Sequence, residues 1–200
     1  MKYTLVILIL LAPLASQARP VSYPNGVMLM GMADHSGTSS MASYSPTARD
    51  AIGLRSDYMS EDEDWLHTVT YNRLLKRWNA ADSQGNIYLL TGLGAAYHSG
   101  DSNPAGTLGV EADWETRRIY FSYENRYISA GNIETSYAQK FRVGVAPYVG
   151  DYDDVHTWLM VQIDHHPEED ESVVVTPFVR LFNEDVLGEF GISNKKDVMF

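Results

Sequence analysis

The sequence predicts an all-β fold, an antiparallel up-and-down transmembrane β-barrel of about 12 strands that follows a cleaved signal peptide. Three observations support it. The chain opens with a short apolar segment typical of export, and the remainder alternates polar and apolar residues with a period of two. After residue 19 there is no stretch of 18 apolar residues, the length that a membrane-spanning helix would need.

The composition excludes several classes of protein. Of the 200 residues, 44% are apolar and 12% are aromatic, which is too many for a disordered chain. There is no Cys, so a disulfide framework and a thiol nucleophile are excluded. The formal net charge of −11 argues against a nucleic-acid partner, which would require a basic face.

The N-terminal segment has the three-part layout of a secretory signal peptide. Lys2 is followed by the apolar run Leu5–Leu11, and small residues at Ser16 and Ala18 mark a cleavage site after Ala18. We therefore expect residues 1–18 to be removed and residues 19–200 to form a single β-barrel domain. An exported chain without Cys is common in the Gram-negative envelope.

Each predicted strand is a run of alternating residues bounded by Gly, Pro, Asn or Asp. The clearest is 118–127, where Ile119, Phe121 and Tyr123 share one face. The last run is short. The predicted strands cover, in order, about residues 27–33, 38–45, 49–59, 65–78, 86–98, 108–115, 118–127, 136–148, 157–166, 172–182, 186–192 and 197–200.

Alternation fits both a soluble barrel and a membrane barrel, but three features favour the membrane. The runs 65–78 and 85–97 are longer than strands of soluble sheets. Charges of both signs occur in mid-strand, as expected of ion pairs filling a narrow lumen. Aromatic residues fall near strand ends, where interfacial girdles lie.

Two sets of residues follow from this interpretation. The predicted lumen ion-pair network comprises Arg55, Glu111, Asp113, Glu124, Arg126, Lys140, Arg142, Asp164 and Arg180. The predicted aromatic girdle comprises Trp65, Trp78, Trp114, Trp158, Tyr97, Tyr127 and Tyr148, although Trp78 and Trp158 fall on the nominally inward parity.

The connections between strands alternate between two sets. One set includes 60–64 (SEDED), 98–105 and 167–171 (PEEDE), and it is more acidic and, by the predicted boundaries, slightly longer. We expect it on the cell surface, where Mg²⁺ or Ca²⁺ could bridge acidic loops to lipopolysaccharide phosphates. Otherwise no cofactor is predicted.

The chain resembles small bacterial outer-membrane β-barrels, including a proteobacterial family similar at 74–79 (LLKRWN), 122–127 (SYENRY) and 143–151 (VGVAPYVGD). The resemblance implies outer-membrane lipid, lipopolysaccharide and the assembly machinery as partners, with Phe200 as a terminal assembly signal. The final run is too short to cross a membrane. Either the natural chain continues past Phe200, or the barrel has 10 or 8 strands.

Metal ligation is a weaker hypothesis. Met28, Met30 and Met32 share one strand face ahead of His35, and thioether and imidazole groups suit Cu(I). Sulfurs along one strand would lie about 7 Å apart, too far for one site without a second strand. We therefore expect an apolar face against lipid. His165 and His166 point to opposite faces, so a joint site is not predicted.

The expected function is structural or porin-like, the passage of small solutes through a narrow or plugged lumen. One alternative is a soluble periplasmic or secreted β-barrel whose apolar face binds a ligand. Another is a lipid-modifying enzyme that uses a Ser–His pair at the rim. No spacing ties a Ser to a His and G-x-S-x-G is absent, so an enzyme is not predicted.

Overall fold

The computed structural model describes residues 19–60, 63–151, 154–168 and 172–200. The predicted signal peptide, residues 1–18, lies outside the described residues.

Twelve strands form one antiparallel sheet in which every strand pairs with its neighbours in sequence. The predicted all-β, up-and-down barrel of 12 strands is therefore confirmed. In the part of the chain that the structure describes, no helix has the length and apolar character needed to cross a bilayer. The strands are β1 (Gly26–Asp34), β2 (Gly37–Ser45), β3 (Asp50–Met59), β4 (Asp64–Asn79), β5 (Ser83–His98), β6 (Asp101–Thr116), β7 (Ile119–Ser129), β8 (Thr135–Val145), β9 (His156–His165), β10 (Val173–Asn183), β11 (Val186–Ile192) and β12 (Val198–Met199).

The two ends of the sheet meet through the short last strand. β12 pairs with β11 at two positions, Gly191–Met199 and Ile192–Val198. The next residue, Phe200, exchanges backbone hydrogen bonds of 2.8 and 3.1 Å with Ala33 of β1. These bonds bring β12 against β1, and the barrel is nearly closed.

The connections lie at two ends, which we call upper (the end with the β1–β2 turn) and lower (the opposite end). The prediction of a loop at His98–Ala105 is wrong for most of that range. Strands β5 and β6 continue to a tight turn at Ser99 and Gly100. The longest connection, 146–155, lies at the lower end, so the expected difference in loop length is not found. The charge difference remains: upper connections hold nine acidic and two basic residues, lower ones six and three.

A β-bulge in β4 changes which residues face outward. The register with β5 shifts between Leu74 and Lys76, which leaves one extra residue in β4. Beyond the bulge, Arg77 lies opposite the buried Asn86, and Trp78 lies opposite Gly85. Trp78 is 47% exposed, although the alternation counted from the start of the strand would place it inside.

The segment Arg19–Ser22, ahead of β1, folds into the lower end of the barrel. Val21 is 3% exposed and packs in an apolar cluster with Tyr88. Arg19 forms an ion pair with Glu115 of β6. This segment therefore narrows the lower end without belonging to a strand.

Close backbone packing in the sheet gives a test of the fold. A Cβ at Gly94 would lie 1.8 Å from the carbonyl oxygen of His67, whereas a Cβ at Gly106 would lie 3.8 Å from its nearest neighbour. We expect Gly94→Ala to lower the free energy of unfolding by about 1–3 kcal/mol, as overpacking does. The measurement is urea unfolding of the purified protein, followed by Trp fluorescence.

Gly106→Ala is the matched control, and we expect it to unfold at nearly the same urea concentration as the parent. Equal stability of the two variants would contradict the β4–β5 packing described here.

Candidate functional site: the charged lumen

The outer surface of the barrel is apolar around its middle. Leu54, Val69, Leu93 and Leu108 are 55–75% exposed. By the strand registers they alternate with side chains that point inward. Among the described strand residues on this outer face, Asp, Glu, Lys and Arg occur only near the lower end, at Asp50, Arg73 and Lys76.

Aromatic side chains flank this apolar zone at both ends. Each is 41–47% exposed. The upper band contains the predicted Trp65, Tyr97 and Tyr127, and the lower band contains the predicted Trp78, Trp114 and Tyr148.

Trp158 departs from the girdle prediction because it lies inside the barrel. It is the register partner of the inward-facing Arg180, and its ring makes an edge contact with Tyr120 at 6.4 Å. Its parity in the sequence already indicated an inward position. An aromatic near a strand end therefore does not by itself indicate the interface.

The separation of the bands can be estimated along β4. Trp78 lies 13 positions after Trp65, and one of these is the extra residue of the bulge, which leaves about 40 Å of strand at 3.3 Å per residue. A tilt near 45° reduces this to about 30 Å along the barrel axis, the thickness of a hydrocarbon core.

Ion pairs cross the lumen in its upper half. Arg126 of β7 donates to the Asp57 carboxylate of β3 at 2.8 Å, and Arg55 donates to the same carboxylate at 2.8 Å. Because three strands lie between β3 and β7, this bridge joins distant walls. Lys140 of β8 lies 3.5 Å from Asp34 of β1, which makes a second bridge.

A second carboxylate shared by two cations lies lower in the barrel. Glu189 of β11 accepts from Arg180 at 2.6 Å and from Arg142 at 3.2 Å. Arg142 also donates to Gln162 at 2.7 Å, and Gln162 donates to Asp164 at 2.7 Å. These groups form a continuous polar network along β8 to β11.

Three members of the predicted network, Glu111, Asp113 and Glu124, make no ion pair within 4.0 Å in the described residues. Asp113 instead accepts a hydrogen bond of 2.7 Å from Asn86. Glu111 and Glu124 are direct register partners on neighbouring strands, so two carboxyl groups lie side by side. Arg55 and Arg126 lie near enough to Glu124 to attract it.

Three acids complete the network but were not among its predicted members: Asp34, Asp57 and Glu189. Asp57 has the same parity as Arg55 and could have been added by counting in twos. Glu189 is the only charged residue of the seven-residue strand β11. One charge in so short a strand does not reveal which face is polar. The ion pair of Asp34 with Lys140 joins β1 to β8 and forms only when the sheet curves round to bring these strands together.

The expectation that Met28, Met30 and Met32 face lipid is wrong. By the β1–β2 register they share the inner face with Met41, which lies directly opposite Met30. All four line the lower of two lumen cavities, each of about 670 Å³.

His165 and His166 lie on opposite faces of the sheet, as the alternation predicts. His165 accepts a hydrogen bond of 3.0 Å from Gln139 on the outer face, and the inward His35 stacks edge-on with His166 at 5.6 Å. The described residues contain no group of three or more His, Asp and Glu side chains arranged to hold a metal ion.

The shared carboxylate at Asp57 gives a test of the lumen network. We expect Asp57→Asn to lower the free energy of unfolding by roughly 3 kcal/mol, because Arg55 and Arg126 would remain inside without their counter-ion. The check is urea unfolding of the refolded variant beside Asp50→Asn, whose carboxylate lies on the outer face. Equal unfolding of Asp57→Asn and the parent would contradict the pairing.

Comparison of the chain with protein-family models, curated proteins and solved structures found no match. The barrel and its lumen are therefore the observations on which a function has to be built.

Proposed function

We propose that the protein is an outer-membrane β-barrel whose charged, narrow lumen serves a structural role or passes small solutes. The observation that carries the proposal is the distribution of side chains, apolar outside between two aromatic bands and ion-paired inside. A bilayer accepts strands only in a closed barrel with an apolar outer face.

The same distribution argues against a soluble barrel. A soluble carrier of an apolar ligand would turn residues such as Phe121 and Val143 inward and leave Arg142 in solvent. Here Phe121 is 39% exposed, while the Arg142 side chain is only 14% exposed. An apolar zone around the whole barrel would favour aggregation in water.

The residues that line the lumen favour a narrow passage over an open pore. The upper and lower cavities share a set of lining residues, which we call the constriction. They include the cross-lumen cation Arg126. The constriction comprises Met32, Arg55, Glu124, Arg126 and Lys140.

The acidic upper connections support an outward orientation for that end. Carboxylates at the cell surface could share Mg²⁺ or Ca²⁺ with lipopolysaccharide phosphates, since hard cations prefer oxygen ligands. The lower end would then face the periplasm. Phe200 would be available to the assembly machinery during folding.

Cell fractionation tests the location. We expect the protein in the outer-membrane fraction, released by detergent, with faster gel mobility before boiling than after it. Recovery in the soluble periplasm without detergent would overturn the proposal and favour the soluble alternative.

Planar-bilayer recording tests the constriction. We expect a small conductance for the parent protein and a larger one for Arg126→Ala, because that change removes a side chain that crosses the lumen. Arg73→Ala, on the outer face, is the matched control and should leave conductance unchanged. If the two variants conduct equally, Arg126 does not limit the passage.

A further inference from the structure

A group of four methionines lies on one patch of the lumen wall. Met28, Met30 and Met32 alternate along the inner face of β1, and Met41 lies on the inner face of β2. We call these four residues the methionine patch. All four line the lower cavity, and Met32 also lines the upper one.

The second strand removes the geometric objection to a shared site. Sulfurs two residues apart on one strand would lie about 7 Å apart, which is too far to ligate one ion. Met41 is the direct register partner of Met30, and Cβ atoms of such partners lie about 4.5–5.5 Å apart. Methionine has three flexible side-chain torsions, so these two sulfurs can converge with a third from Met28 or Met32.

Ordinary core packing accounts for Met28, which is 3% exposed, but not for Met30 and Met41. Met160 and Met199, which are packing methionines, are 3% and 2% exposed and lie in an apolar cluster with Phe178. Met30 and Met41, in contrast, are only partly buried and border open cavity volume. Their thioethers are therefore accessible to a small ion in the lumen.

The basic side chains around the patch are paired with carboxylates, so they do not exclude a cation. Arg55 is the register partner of Met41, but its guanidinium is bonded to the Asp57 carboxylate at 2.8 Å. Arg126, which lines the same cavity, is bonded to that carboxylate too, and Arg142 and Arg180 share the carboxylate of Glu189. Neutral thioether ligands select Cu(I) over harder ions.

An imidazole, a nitrogen ligand that binds copper, also lies above the patch. His35 lines the upper cavity next to Met32, and its Nε2 is buried without a hydrogen-bond partner in the described residues. Its side chain is 8% exposed. An unpartnered imidazole nitrogen along the path to the patch is consistent with a cavity that receives a soft metal ion.

We propose that the methionine patch is a thioether site for a soft monovalent cation, with Cu(I) as the ion that it binds. The inference rests on the register of β1, β2 and the inner face, and not on insertion of the barrel into a membrane. Failure of the proposed location would therefore leave it standing, and its own failure would leave the location standing.

The test is a Cu(I) titration of the full mature chain, refolded in detergent without oxygen, against the chromogenic chelator bicinchoninate. We expect one Cu(I) to be withdrawn from the chelator per chain, with X-ray absorption showing sulfur neighbours. Met30→Leu and Met41→Leu should each weaken binding by about tenfold or more, and the double variant should abolish it.

Leu conserves the volume of Met, so the variants should keep the heat-modifiable mobility of the folded barrel. If the double variant does not fold, Met32→Leu provides the same comparison. Met160→Leu is the matched control, an inward methionine outside the patch, and should bind like the parent. The proposal is overturned if the parent withdraws no Cu(I), if the patch variants bind as tightly as Met160→Leu, or if the absorption shows only nitrogen or oxygen neighbours.

Discussion

The structure depends on carboxylates that are shared across the lumen. Asp57 and Glu189 each accept from two arginines, and the arginine that reaches Asp57 from β7 joins walls four strands apart. A charge placed inside a barrel is costly unless it is paired, so these acids determine which basic side chains the wall can hold. With the charges satisfied inside, the outer face can consist of aliphatic and aromatic residues.

Much of this arrangement could be predicted because a strand alternates with a period of two. All 12 strands and the inward position of Arg55, Arg142 and Arg180 follow from counting residues. Pairings across the bore could not be predicted, because Lys140 and Asp34 are separated by 106 residues and meet only when the sheet closes. The bulge in β4 could not be predicted by counting either, because its one extra residue turns Trp78 from the inner to the outer face.

The first strand shows a different limit of prediction from sequence, namely which of its two faces points inward. Alternation divides Met28, Met30 and Met32 from Val27, Leu29 and Gly31, and the one charged residue of β1, Asp34, shares the parity of the methionines but lies at the very end of the strand. The neighbour decides: the inner face of β2 includes Ser43 and Ser45, 6% and 1% exposed, whereas Tyr44 between them is 45% exposed. Where the middle of a strand lacks charged residues, the neighbouring strand shows which of its faces points inward.

The segment Arg19–Ser22 makes the width of the lower end partly independent of the strand pairing that forms the barrel. It occupies the lower end through side-chain contacts, including the burial of Val21 against Tyr88, and belongs to no strand. Its displacement would break no strand pairing, so the lower end could widen while the sheet stays intact. The width of the lower end therefore depends on this short segment as well as on the number of strands.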